Sequence, residues 1–325
     1  LVNELHPFVR VHRPNRKYSL NVLHHISSFL KLTFILFKIN PNIIHCFLPQ
    51  SYLMGAISAF LLGKKNVLMS RRSLNFYQKK NFIYKFIEKK LHKIILFGLG
   101  NSQAVVSDLK NEGMNNSKIK LIYNGVAKPK KVTEIQKKSL KKKLGINNRE
   151  FIFIMIANFI PYKNHKLVIN ASENLKKKKR NFKVLMVGAG EKKYTEFLKN
   201  TIEKKLLEKN IIMLNQTNAV HKFISISNVG ISSSFEEGFS NSILEYQSFG
   251  LPVIATNVGG NPELVNNKNG FLIKSDNLEM MTTAMDNLII NKKVLNDYRR
   301  NTFEHIKQYS IDRMIKEYEK LYSLI

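Results

Sequence analysis

At 325 residues, 44% of them aliphatic or aromatic, the chain can build two domains with separate cores, which excludes wholesale disorder. Its 53 basic against 23 acidic residues leave a formal charge of +30, which draws it toward polyanions: a phospholipid surface, a nucleic acid or phosphorylated substrates; an AT-rich coding sequence gives the same balance. A single cysteine, Cys46, excludes an intramolecular disulfide and fits a reducing compartment.

In chain order, segments with helical periodicity alternate with short β-branched runs. Leu20 to Ile39 reads as a helix, Asn42 to Phe47 as a strand, and Ser51 to Leu62 as a helix stopped by Gly63. Strand Asn66 to Met69, helix Phe82 to His92, strand Lys93 to Phe97, helix Ser102 to Asn111 and strand Ile119 to Tyr123 follow. This alternation predicts βαβ units and a mostly parallel sheet, with ligands beyond the carboxyl ends of the strands. The longest uncharged apolar run, Tyr52 to Leu62, is about half of the roughly 20 residues that a bilayer requires.

Residues 77 to 93 place Phe82, Ile83, Phe86, Ile87 and Leu91 on one stripe, with Lys79, Lys80, Lys85, Lys89 and Lys90 around it. Two readings stand: an interfacial helix on anionic lipid, or a domain helix with its stripe in the core. The lysine-rich run in Ala127 to Leu144 has no aromatic stacking groups, so it reads as a solvated face and the domain junction, not a nucleic-acid site.

Beyond it, Phe151 to Ala157 reads as a strand, with a loop from Asn158 to Asn164. Lys183 to Val187 is the next strand and runs into Gly188-Ala189-Gly190. Val229 to Ile231 is a buried strand ending in Ser232, Ser233 and Ser234; after Gly238 a helix begins, with Ser240 or Asn241 able to cap it, and Val253 to Ala255 starts another strand. From Leu278 the chain reads as helical to its end. Glu237 in the loop and Glu245 in the helix are two carboxylates that can accept hydrogen bonds from hydroxyls, beside a helix start that offers N–H groups to an anion. Taken alone, the pair reads first as a solvated loop acid and an exposed helix residue. The nine histidines fall in no zinc spacing, and Asp108, Asp276, Asp286, Asp297 and Asp312 form no Asp-x-Asp pair, which disfavours a metal-dependent site.

The run EGFSNSILEYQSFGLPVIATNVGGNPELV resembles the donor-site signature of family 4 glycosyltransferases, retaining enzymes of the GT-B fold. The resemblance implies that Glu245 binds the nucleotide ribose, that Glu237 faces the transferred sugar, and that Gly238, Phe239, Ser240 and Asn241 lie beside sugar and diphosphate. Lys163 in NFIPYKNH matches the family's phosphate-binding Lys, whereas Asn158 and Ile160 stand where its partner Arg is expected. Asn158 is then a neutral phosphate donor, and Gly188 and Gly190 match a donor-side Gly-x-Gly turn. PNIIHCFLPQSYLMGA resembles the strand and helix that bring His45 to the cleft, and Ser70, Arg71 and Arg72 replace a His near the tip of the next strand, so Arg71 or Arg72 is a candidate phosphate or acceptor contact.

The implied architecture is α/β, with two Rossmann-like domains facing a cleft: residues 1–130 on the acceptor side, lacking an opening βαβ unit; 131–305 on the donor side; and 306–325 as a helix returning to the first domain. The implied activity is transfer of a sugar from a UDP- or GDP-sugar to a glycan or lipid-linked acceptor, with no cofactor and no metal. The expected location is cytoplasmic, at or near the inner membrane face. A catalytically silent nucleotide-sugar binder is the alternative from the missing Arg and His, and a nucleic-acid-binding protein is the alternative from charge.

Overall fold

The computed structural model describes residues 8–12, 21–75, 78 and 81–325. Tyr77, Lys79 and Lys80, in the segment of the expected interfacial helix, lie outside them. The chain divides into two compact units, one of residues 1–100, 106–120 and 325, the other of residues 101–105 and 121–324.

Unit 1 comprises α1 (Asn21–Ile39), β1 (Ile44–Phe47), α2 (Pro49–Leu61), β2 (Val67–Arg71), α3 (Phe82–Ile94), β3 (Phe97–Gly100), most of α4 (Gln103–Asn111) and β4 (Ile119–Leu121). Its sheet has the order β1-β2-β3-β4, with β1 to β2 and β2 to β3 parallel. Ile44, Cys46, Val67 and Met69 face Tyr52, Leu91, Ile95 and Leu109 across a shared core. The strand expected at Lys93 to Phe97 begins only at Phe97, because the helix runs on to Ile94 and Ile95 is its extended cap residue, with Leu91 and Ile95 both reaching the core.

Arg71 is a correction to the expected site. It ends β2 with 2% exposure, and its guanidinium donates to Glu112 Oε1 at 2.5 Å and to Glu88 Oε2 at 3.3 Å. His92 Nε2 meets the other oxygen of Glu112 at 3.0 Å, Tyr52 bonds His92 Nδ1 at 3.0 Å, and Gln78 donates to Glu88. The guanidinium is thus committed to two interior carboxylates and is no ligand contact.

Unit 2 follows with α5 (Glu134–Lys143), β5 (Phe151–Ile156), α6 (His165–Lys177), β6 (Phe182–Gly188), α7 (Lys192–Lys204), β7 (Ile211–Asn215), α8 (Val220–Ser225) and β8 (Val229–Ser232). It closes with α9 (Asn241–Ser248), β9 (Val253–Thr256), α10 (Asn261–Leu264), β10 (Gly270–Ile273), α11 (Leu278–Ile290), α12 (Lys292–Ile306) and α13 (Ile311–Tyr322). Sequence periodicity left β7 and β10 unread. All six strands are parallel in the order β10-β9-β8-β5-β6-β7, and apolar clusters cover both faces. The order reverses between β5 and β8, which opens a crevice beyond their carboxyl ends.

The second unit begins earlier than the junction expected at 130. Val126 donates to the Tyr309 carbonyl at 2.9 Å and accepts from the Ile311 N–H at 3.1 Å. A Cβ on Gly125 would stand 2.6 Å from Ile311 Cα, so only glycine allows this approach. The final helix is accordingly counted with unit 2. Among the described residues no helix is long and apolar enough to cross a membrane.

Candidate functional site

The two loops that leave the switch point carry the two residues expected to act on the donor. After β5 the chain turns through Pro161–Lys163, and after β8 it runs through Ser233 to Ser240 before α9 begins. Ser233 Oγ donates to the carbonyls of Lys163 (2.9 Å) and Asn164 (3.1 Å), and the Phe235 N–H donates to the Tyr162 carbonyl at 2.8 Å. Locked together in this way, the loops place Lys163 Nζ 2.6 Å from Glu237 Oε1, which also accepts from Ser234 Oγ at 2.7 Å. Both charged side chains are largely screened, at 17% and 13% exposure. An entering anion therefore competes with a carboxylate for an ammonium that already stands at the crevice.

Glu245 is different. It lies half-buried in α9, its carboxylate makes no hydrogen bond or ion pair among the described residues, and burial raises its pKa. An acceptor that has lost water without gaining a protein donor is suited to a hydroxyl brought by a ligand. Ser240 occupies the cap position of α9 but makes no side-chain cap bond, its hydroxyl pairing with Ser242 Oγ at 3.1 Å. Asn241 does not cap either, since its Oδ1 accepts from Asn124 Nδ2 at 2.8 Å. The first-turn amides are left without a side-chain cap.

Gly238 and Phe239 are set by packing. The Gly238 carbonyl accepts from the Gly260 N–H at 3.1 Å, while the buried Phe239 ring meets Tyr123 and Tyr309 at 5.1 and 5.4 Å between centroids. Gly188 and Gly190 allow another close approach: an added Cβ would stand 2.0 Å from the Ala157 carbonyl oxygen and 2.1 Å from that of Phe159. Their glycine requirement thus has a packing cause, the meeting of the β6 loop with the 157–159 segment that leaves Asn158 exposed.

Of the candidates in unit 1, the structure brings together His45 and Arg72 and removes Arg71. His45 Nε2 lies 2.8 Å from Ser70 Oγ, and its ring stacks on Phe47 at 4.2 Å. Arg72 stands 5.6 Å from the Phe47 ring. Burial, and then the Arg72 charge, lower His45 to about 4, which keeps the imidazole neutral near pH 7. Sequence reasoning missed Ser234 and Asn124 as partners of the donor loop. Glu263, in the short α10 after β9, accepts from the Gln103 N–H at 2.9 Å and from Tyr123 Oη at 2.8 Å, partners that sequence reasoning did not supply. No group of three His, Cys, Asp or Glu side chains among the described residues could hold a metal ion.

The family model for glycosyl transferases group 1 matches residues 136–305, just over half of the chain, and that for Glycosyltransferase Family 4 matches residues 2–128. Among relatives, an Escherichia coli UDP-Gal:alpha-D-GlcNAc-diphosphoundecaprenol alpha-1,3-galactosyltransferase is 27% identical over 94% of this chain and 81% of its own. The Staphylococcus aureus capsular polysaccharide biosynthesis glycosyltransferase CapM is 23% identical over 94% of this chain and 83% of its own. The crystal structure of Anabaena HepE in complex with UDP-glucose superposes with a TM-score of 0.85 at 19% identity, over 91% of this chain and 82% of HepE. The fold is that of the GT-B enzymes. With its donor-loop signature and this match over residues 136–305, the chain belongs to the glycosyl transferases group 1 family and is a glycosyltransferase.

Proposed function

We propose that the protein transfers a hexose-type sugar from a UDP- or GDP-sugar to a glycan or lipid-linked acceptor, with retention and without a metal ion, in the assembly of cell-surface polysaccharide or lipopolysaccharide. The observation that carries this reading is the switch-point arrangement, in which Lys163 and Glu237 pair at 2.6 Å near an α9 whose own acid, Glu245, has no partner among the described residues. Lys163 and the α9 amides stabilise the diphosphate as the sugar–oxygen bond breaks, Glu245 holds the ribose, and Glu237 orients the sugar. The acceptor oxygen attacks from the leaving-group face, and its proton passes to the departing diphosphate. The UDP-Gal named for the Escherichia coli enzyme and the UDP-glucose in the Anabaena complex support the donor class, and the resemblance to family 4 supports retention.

Glu245→Gln tests the ribose role. Losing a hydrogen bond to a charged acceptor weakens nucleoside diphosphate binding by about 10- to 100-fold in calorimetric titration. The same change raises the Tm of the unliganded chain near neutral pH. A carboxyl whose folded pKa is raised by burial binds its proton more tightly than in the unfolded chain, so its ionised form costs stability above that pKa, and Gln removes the cost. Unchanged affinity in this variant sinks the assignment. Release of nucleoside diphosphate from a sugar nucleotide by the full protein separates an enzyme from a silent binder.

We place the protein in the cytoplasm, docked on the inner face of an anionic membrane. The α3 stripe is split: Ile87 and Leu91 turn inward, while Phe82, Ile83 and Phe86 are 81%, 70% and 55% exposed beside Lys85, Lys89 and Lys90. At about 1 kcal/mol per lysine near such a surface, changing these three lysines to Gln weakens binding to phosphatidylglycerol vesicles by about 100-fold. Equal sedimentation of variant and parent with the vesicles refutes the docking.

A further inference from the structure

Unit 2 holds a second charged cluster that sugar transfer leaves unused. A cavity of about 440 Å³ lies where the linker passes the carboxyl end of α9 and the side of α12. Phe249, Leu251 and Phe303 supply its apolar part, and Lys130, Lys131, Lys137 and Arg299 its charge. No carboxylate lines it among the described residues. Lys137 is held by Glu134 at 2.8 Å, which leaves the other three cations without an acidic partner among the described residues.

In a chain this basic, exposed lysines alone would mean little; Arg299 is what sets the cluster apart. Arg71, Arg180, Arg300 and Arg313 each pair with a carboxylate and the half-buried Arg72 stands over the Phe47 ring, whereas the Arg299 side chain, also half-buried, makes no hydrogen bond or ion pair among the described residues. Burial lowers its pKa with no opposing contribution. A guanidinium with five N–H donors, partly stripped of water and given no acceptor by the protein, is set up to receive one from outside. The positive field extends past the cavity, since Lys130 and Lys222 add to the effect of burial in lowering the pKa of His221.

The cavity is separate from the donor crevice. Ser225 and Ser227 precede β8 and Leu251 precedes β9, which puts it at the amino-terminal edge of the sheet; Lys163 and Glu237 follow the carboxyl ends of β5 and β8. The eight-residue α9 runs between the two edges, about 12 Å at 1.5 Å per residue.

We propose that this cavity is a second binding site, for a phosphate-class anion such as a polyphosphate, a phosphomonoester or the phosphate of a lipid headgroup, held by the Arg299 fork and flanked by Lys130 and Lys131. A multivalent oxyanion fits better than a carboxylate because one negative charge leaves most of the cluster uncompensated, and a planar guanidinium binds two phosphate oxygens at once. The site does not depend on the donor reading.

The test is calorimetric titration of the full chain with tripolyphosphate at about 0.15 M salt, where well-separated exposed charges are screened. Arg299→Gln weakens binding by about tenfold or more, the loss of a charge-assisted contact. The double variant Lys130→Gln, Lys131→Gln changes only exposed side chains and produces the same direction of change without risk to the fold. Because tripolyphosphate can also meet Lys163, the titration is repeated in Lys163→Ala. Binding that persists there and falls in Arg299→Gln supports the site; binding lost in Lys163→Ala and unchanged in the other two variants overturns it. Retention on phosphatidylglycerol but not phosphatidylcholine vesicles that depends on Arg299, with no tripolyphosphate response, identifies the lipid headgroup as the source. Independence of both probes from Arg299 also overturns the proposal.

Discussion

Lys163→Ala lowers the rate of sugar transfer by about 10²- to 10³-fold, the usual cost of removing one preorganised group that stabilises developing charge. The effect is large because this cation has no arginine at its side: Asn158 and Ile160 stand where one is expected. In the structure the ammonium is paired with Glu237 at 2.6 Å, so the proposed role requires donor binding to draw it toward the diphosphate. Charge on that leaving group grows as the sugar–oxygen bond breaks, so the loss falls more on kcat than on donor affinity. Lys163→Ala also leaves Glu237 screened from water without its cation, and the Tm of the variant is measured alongside the rates. A folded variant that transfers sugar within threefold of the parent removes Lys163 from the mechanism, and that threshold lies well below the roughly 10²-fold expected.

Arg71→Met destabilises the protein by about 3–5 kcal/mol, the cost of leaving interior carboxylates without their cation. Glu88 and Glu112 are both buried and both meet this guanidinium. Burial by itself would raise the Glu112 carboxyl, but hydrogen bonds from His92 and Arg71, together with their charges, hold it down to about 2, against an ordinary 4.5. A carboxyl with a depressed folded pKa stabilises the fold above the unfolded value, and the contribution is lost as pH falls from 4.5 toward about 2. Thermal melts between those limits show a steep loss for the parent and a shallower one for Glu112→Gln. An Arg71→Met variant with the parent's denaturation midpoint would mean that the network contributes nothing net.

The candidate roles therefore diverge at neighbouring positions. Arg71 and Arg72 are adjacent and chemically identical, yet one is sealed between carboxylates and the other stands over Phe47 with its charge reaching His45. Strand alternation says that they point to opposite faces, but not which face holds the acids. Those acids come from α3 and from the turn after α4, 17 and 41 residues away in sequence.

What the sequence determined by itself was local: the alternation of helices and strands, the strand–loop–helix carrying Glu237 and Glu245, and the loop carrying Lys163. These follow from periodicity, caps and turn residues within a dozen positions. Packing decided everything that joins distant segments. It set the strand order that puts the β5 and β8 loops side by side, the pairing of Lys163 with a carboxylate 74 residues away, the fixing of Asn241 by Asn124, and the unit boundary near 121. It also left the side chains of Glu245 and Arg299 without partners among the described residues, a state that the local signature around Glu245 did not show and that nothing near Arg299 signalled. The physical reason is that a charged side chain's role depends on the water it loses and the groups it meets, and both are set by the segments that fold over it.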